Sequence, residues 1–307
     1  MLRISKKDIH LLRTLAEYRV LDISQITLLH FSGKKVARRR LTQMTKEGLI
    51  EIVQRGFGRS RGRPENVYSI SLKGIELLQK EDLLCNYAPG DKLDSKNIIC
   101  IDHQLLVNWF RIHLVQIEKL LPNIEARFLS PNSPFQISNY NEMPLIHDKI
   151  LIEGSNNKFI GFTPDGVFSI NDKIQKKSLL FFLEVDMGTE SLASPKRNNQ
   201  DIRQKIINYQ IYFRSNKYKR YEDIWKCHFN GFRLLFLTNN TARMKTLCQL
   251  IQEIPPSNFI WITEQRKMFS QGLADTIWVQ GGNLDKPLKP IVGEKMWQPS
   301  PIPLINL

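Results

Sequence analysis

Three carboxylates on what read as neighbouring strands are the residues best placed to do chemistry. Asp165 opens FTPDGVFSI (162–170), a turn NDKIQKK (171–177) follows, and SLLFFLEVD (178–186) returns with Glu184 and Asp186. Strand side chains alternate between faces, so Leu180, Phe182, Glu184 and Asp186 share one face of the second strand. The hairpin spacing brings Asp165 towards them. Acids gathered in this way repel one another unless a cation or hydrogen-bond donors offset the charge. A hard ion such as Mg2+ accepts oxygen ligands and keeps several waters. Activating one of those waters is how metal nucleases attack phosphodiesters. Equally, Glu184 or Asp186 caps the following turn and helix, or pairs with an arginine. The pattern alone leaves both readings open.

The second chemistry is cationic. The chain has 307 residues, with 44 Lys and Arg against 30 Asp and Glu, a net charge of +14. Such a balance favours a polyanion, nucleic acid before anionic membrane. Its distribution is sharper than its total. Residues 33–63 carry ten basic side chains and two acidic ones, a net of +8. Within them, Lys34, Lys35, Arg38, Arg39, Thr42 and Gln43 point away from an apolar stripe of Ala37, Leu41 and Met44. Arg59, Arg61 and Arg63 sit among glycines in GFGRSRGRPEN. Arginine and glutamine read base edges in a major groove wide enough for a helix. Arginines in a Gly-rich tip reach phosphates or a narrow minor groove.

The elements that position these groups follow from periodicity. A helix is expected over 5–19 with Ser5 as N-cap, a second capped by Asp22 or Ser24, and a third from Lys34 to Glu47 with Gly48 ending it. LIEIVQR and NVYSISLKG flank the basic tip as a strand pair, with Ile50 and Ile52 alternating against Glu51 and Val53. Another helix starts at GIELLQK. Three helices and a two-stranded hairpin make a winged helix-turn-helix over 1–85. The polar stretch 86–97 reads as a linker. A helix over 98–121, strand IEARFL, the two acidic strands, a helix over 198–214, strand RLLFLTNN, helix ARMKTLCQLIQEI and strand FIWIT give an α/β domain over 98–280. Residues 130–160 read as an irregular insertion and 281–307 as a Pro-rich tail with little sign of a core.

Other classes are disfavoured. Hydrophobic residues make up 42% of the chain and charged residues 24%, ordinary for a globular protein. A membrane span needs about 18 apolar residues in a row, far more than the run 179–183. The start, MLRISKKDIH, has no apolar signal region. Cys85, Cys100, Cys227 and Cys248 lack metal-ligand spacing, and the histidines form no HExxH cluster. A cytoplasmic protein without a membrane partner is expected.

The chain resembles the replication-relaxation proteins of plasmids and integrative elements. The basic winged helix at 5–80, DHQLLVNWF (102–110), TPDGVFSI (163–170), FFLEVDMGTES (181–191) and KIINYQIYF (205–213) carry the resemblance. It implies double-stranded DNA as partner, action at an origin or transfer site, and company with plasmid replication or mobilisation proteins. The C-terminal part also resembles the PD-(D/E)XK nuclease fold. That resemblance implies Asp165 and Glu184 as ligands for Mg2+. Asp186 stands where the family carries a lysine, so the catalytic set becomes Asp165, Glu184, Asp186 and a substitute cation, Lys205 or Lys196. Glu118 and His103 are further ligand candidates, with His103 more in keeping with a satisfied buried histidine. Three functions stay open: a sequence-specific binder with a nuclease-like domain, an active Mg2+-dependent nickase, and a transcription regulator. A homodimer is compatible with each.

Overall fold

The computed structural model describes residues 3–54, 65–84, 93, 98, 100–135, 146–151, 159–192 and 201–292. It is a mixed α/β protein in two compact units, residues 1–112 with 132–145, and residues 113–131 with 146–306.

In the first unit, Ser5 caps α1 (Lys6–Tyr18) and shares a reciprocal capping box with Asp8. Strand β1 (Leu21–Asp22) leads into α2 (Ile23–His30), where Asp22 and Gln25 form the same device. Two orphan backbone donors are satisfied at each start. Helix α3 (Lys34–Lys46) follows, then β2 (Ile50–Val53), β3 (Val67–Ile70) and α4 (Leu72–Lys80) capped by Ser71. The strands order as β1-β3-β2, all antiparallel. Leu12, Leu15, Ala16, Ile26, Ala37, Leu41 and Met44 are fully enclosed between the three helices and the sheet. Gly48 turns the chain after α3 at φ +72°, a backbone region that disfavours a Cβ. This order is compatible with a winged helix. The hairpin tip at 55–64, with Arg59, Arg61 and Arg63, lies outside the described residues. Ile52 departs from the expected alternation and is 49% exposed.

Helix α5 (Ile101–Leu120) begins in the first unit and ends in the second. The sequence assigns all of it to the second domain. Its first half instead packs on the first unit. Gln25 Nε2 donates to Leu105 O at 2.8 Å, and Asn108 Nδ2 donates to Val20 O at 2.5 Å. The Arg111 guanidinium pairs with Glu17 and lies 4.0 Å over the Tyr18 ring. Buried polar side chains need such partners, and periodicity does not say where they are.

In the second unit, β4 (Ile124–Leu129), β7 (Gly166–Asp172), β8 (Lys177–Asp186), β9 (Phe232–Thr238), β10 (Ile260–Glu264) and β11 (Val279–Gln280) form one sheet, in the order β11-β10-β9-β8-β7-β4. Strands β8, β9 and β10 run parallel and the flanking pairs antiparallel. Helix α6 (Ile202–Arg214), a 3-10 turn (Lys217–Lys219) and α7 (Arg220–Trp225) connect β8 to β9, and α8 (Thr241–Gln252) connects β9 to β10. Helix α9 (Gln265–Gln271) lies between β10 and β11. Every residue of β8 from Leu180 to Asp186 is buried, as expected of a strand covered on both faces.

Two expectations are corrected here. The stretch 130–160 is not simply irregular: β5 (Asp148–Leu151) pairs antiparallel with β6 (Phe159–Phe162). The segment after 281 is not without a core either. Lys289 bridges to Trp278, and Ile291 and Val292 are fully buried. Proline content signals interrupted secondary structure and says nothing of packing.

Candidate functional site

Helix α3 presents its stripe as expected. Ala37, Leu41 and Met44 are buried, while Lys35, Arg38, Arg39, Thr42, Gln43 and Lys46 are exposed. Two of the helix's cations are otherwise engaged. Lys34 pairs with Glu65 at 2.9 Å, both about one-third exposed. Arg40 reaches across to the buried Asp8, its Nε donating at 2.7 Å. Burial raises the Asp8 carboxyl, but hydrogen bonds from Arg40 and Ser5 outweigh it and hold the pKa below the usual value. The Gln43 amide oxygen accepts from Arg40 Nη1 at 3.1 Å. That leaves Lys35, Arg38, Arg39 and Lys46 without an ion pair among the described residues.

The acids lie at the C-terminal end of β8 and in the turn before β7. Leu183 O accepts from Asp165 N at 3.0 Å, and Asp165 Oδ2 accepts from Val185 N at 2.7 Å. Asp165 is therefore tied to the backbone on either side of Glu184. Glu184 is 5% exposed. Its Oε1 accepts from the Tyr209 hydroxyl at 2.6 Å and its Oε2 pairs with Lys205 Nζ at 3.0 Å. Lys205 and Tyr209 lie one helical turn apart on α6, so one face of that helix delivers both. Burial pushes the Glu184 carboxyl up, the Lys205 ammonium pulls it down, and the Asp165 charge pushes it up again; the balance is upward. Burial alone would lower the Lys205 ammonium, but Glu184, Glu190 and Asp165 together hold it above its ordinary value.

Three of the four expected catalytic residues thus converge: Asp165, Glu184 and Lys205. The fourth, Asp186, faces a different partner. Its Oδ2 accepts from Arg243 Nε at 2.6 Å and its Oδ1 from Gly188 N at 2.9 Å. Arg243 Nη2 also donates to Glu190 O at 2.6 Å. Of the readings the sequence left open for Asp186, this arrangement fits the arginine pair and the turn cap. Lys196 lies outside the described residues.

No three His, Cys, Asp or Glu side chains among the described residues group as they would around a metal ion. Asp165 and Glu184 remain as a pair. Mg2+ is commonly held by one or two carboxylates with waters completing its shell. A carboxylate offers about four lone-pair positions, so the bonds from Tyr209 and Lys205 do not exhaust Glu184. The donor set fits a hard cation at its minimum.

A further buried carboxylate, with its own set of partners, went unnoticed in the sequence. Asp148, 3% exposed, accepts from the Tyr212 and Tyr221 hydroxyls at 2.9 Å each and pairs with Arg220 Nε at 2.9 Å. Burial raises this carboxyl against the pull of Arg220 and the two tyrosines. It came from a stretch with no periodic signal, and two tyrosines flanking an arginine on α6 and α7 were the only hint.

Among the described residues no helix is long and apolar enough to cross a membrane. A family model described as replication-relaxation matches residues 12–226. No curated protein and no solved structure matches the chain.

Proposed function

Since the chain belongs to the replication-relaxation family, we propose that it binds duplex DNA at the origin or transfer site of a plasmid or integrative element, acting in replication or relaxation there. Helix α3 enters the major groove in this reading. Lys35, Arg38 and Arg39 meet the DNA backbone or guanine edges, Gln43 meets adenine, and Arg59, Arg61 and Arg63 extend the contact. The observation that carries it is the row of exposed cations on α3 without an ion pair among the described residues, beside two others spent on Glu65 and Asp8. Exposed charges need no partner in water, but several cations on one helix face with no acid between them concentrate a positive potential that favours a polyanion. The test is retardation of a labelled origin fragment. Selective binding should disappear in Arg38→Ala/Arg39→Ala with the fold intact, and unchanged affinity would sink the reading.

The second unit is in this proposal a nuclease-like domain. One observation favours the stronger version, an active nickase: Lys205 Nζ lies 3.0 Å from Glu184, and in this reading it stands in for the missing strand lysine. Cleaving a phosphodiester builds negative charge in the transition state, and a preorganised cation stabilises it. Asp165 and Glu184 would hold Mg2+, which when bound supplies an activated water. Tyr209 fixes the Glu184 carboxylate, and Lys205 places positive charge beside it. Incubating supercoiled plasmid with protein and Mg2+ or Mn2+ tests this version. Open circles that vanish in Asp165→Ala and Glu184→Ala support it. Intact supercoils under every divalent metal reduce the unit to a DNA-holding scaffold.

A further inference from the structure

The parallel strands have a second end. Opposite Asp165 and Glu184, where β8, β9 and β10 begin, lies a pocket of about 760 Å³ within the second unit. That volume is in the range of small-molecule sites, roughly 300–1,000 Å³. Its walls combine three cations, Lys176, Lys177 and Arg233, with the rings of Phe213 and Phe259. Lys176 and Lys177 are exposed, and neither is in an ion pair among the described residues. Arg233 is held in place, its Cζ 4.3 Å from the Trp261 ring centroid, and Nη1 donates to Ile291 O at 2.8 Å. Among the described residues no carboxylate pairs with it. A half-buried guanidinium is ordinarily matched by an acid, because desolvating an unpaired charge is unfavourable. The acid in the lining, Asp172, spends its Oδ1 on the backbone amides of Ile174 and Gln175 in its own turn. Phe213 and Phe259 lie 5.1 Å apart, tilted by 31°, and each stays partly open to solvent.

Excess positive charge beside accessible rings is the chemistry that receives a planar base bearing a phosphate. We propose that this pocket is a nucleotide site: Phe213 and Phe259 take the base, while Lys176, Lys177 and Arg233 face the phosphate. The nucleotide comes either free or as part of a single strand. This site uses none of the α3 cations and lies at the other end of the strands from the Glu184 cluster, so it stands or falls independently of the reading above.

Photo-crosslinking of the full chain tests it, using 5-bromodeoxyuridine monophosphate in one arm and a short single-stranded oligonucleotide carrying 5-bromodeoxyuridine in the other. Cross-links are expected on peptides carrying Phe213 or Phe259. They should fall about tenfold or more in Lys176→Glu/Lys177→Glu, the scale of losing one good stacking or phosphate contact. Both lysines are exposed, so an unchanged melting temperature separates lost binding from lost folding, and Arg38→Ala/Arg39→Ala should leave the labelling intact. Labelling by the mononucleotide identifies a free ligand; labelling by the strand alone identifies single-stranded DNA. Cross-links confined to other regions, or undiminished in the double-lysine variant, would overturn the proposal.

Discussion

If α3 lies on DNA as proposed, salt dependence gives a direct reading of which of its cations meet phosphates. Each neutralised phosphate contributes about −0.9 to the slope of log K against log salt. The described part of α3 leaves four cations outside ion pairs, Lys35, Arg38, Arg39 and Lys46. Their joint contribution is therefore at most about −3.6. Arg38→Ala/Arg39→Ala should make the slope shallower by about 1.8, so that raising salt from ~50 to ~200 mM weakens the variant roughly twelvefold less than the parent. Arg40 makes the opposite forecast. Its side chain is 23% exposed and that of Asp8 only 4%. Arg40→Ala should leave the slope alone but strand a buried carboxylate, costing about 1–3 kcal/mol. Fluorescence anisotropy against a salt series measures the slopes, and thermal melting measures the second effect. If Arg40→Ala flattens the slope as much as the double variant does, with no loss of thermal stability, the assignment of structural and DNA-facing cations is wrong.

Other outcomes follow from particular residues. If the second unit nicks DNA as proposed, Lys205→Met should abolish nicking more completely than Lys205→Arg, because arginine keeps a cation beside Glu184; undiminished nicking in Lys205→Met would remove Lys205 from the chemistry. Gly74→Ala ought to stabilise a helix by about 0.8–1 kcal/mol on propensity alone. Here the new Cβ would meet Leu49 O at 2.3 Å, so denaturant melts should instead show a loss, about 1–3 kcal/mol by analogy with overpacked cores. His113 is 3% exposed, packs edge-on to Phe269, and burial lowers its pKa from 6.5 to about 4. The folded chain keeps it neutral while the unfolded chain protonates it below pH 6.5, so stability falls as pH drops from 6.5 towards 4. At about 1.4 kcal/mol per pH unit the loss from this residue approaches 2 kcal/mol at pH ~5. His113→Leu should flatten that part of the stability profile measured by urea titration, and an unchanged acid slope would show that the histidine reaches solvent.

Much of this was legible before any coordinates. The stripe Ala37, Leu41, Met44 needs only helical spacing, and β7 and β8 announce themselves as long apolar runs. Strand alternation put Glu184 and Asp186 on one face of β8, but not that both faces of this central strand are covered, so that every residue from Leu180 to Asp186 is buried. It could not tell which partner each would meet. Lys205 lies 21 residues beyond Glu184 and Arg243 lies 57 beyond Asp186, separations at which only the crossover geometry decides who meets whom. The pairing of β5 with β6 was hidden because each strand is four residues long. Helix α7, with six residues, and β11, with two, are likewise too short to show a period. That the first half of α5 clusters with the first unit was not legible, since an apolar stripe says that a helix packs, not against what.

The parallel pairing of β8 with β9, from Leu180 opposite Phe232 to Asp186 opposite Thr238, has a consequence for anyone who shortens the chain. A fragment ending after Trp225 would keep Asp165, Glu184, Lys205 and Tyr209 yet strip β8 of its neighbour. A long strand with the apolar run Leu179–Leu183 would then become a bare margin, its amides and carbonyls free to recruit another copy. Such a fragment should collect in inclusion bodies rather than yield a minimal enzyme, and expression boundaries belong beyond Val292.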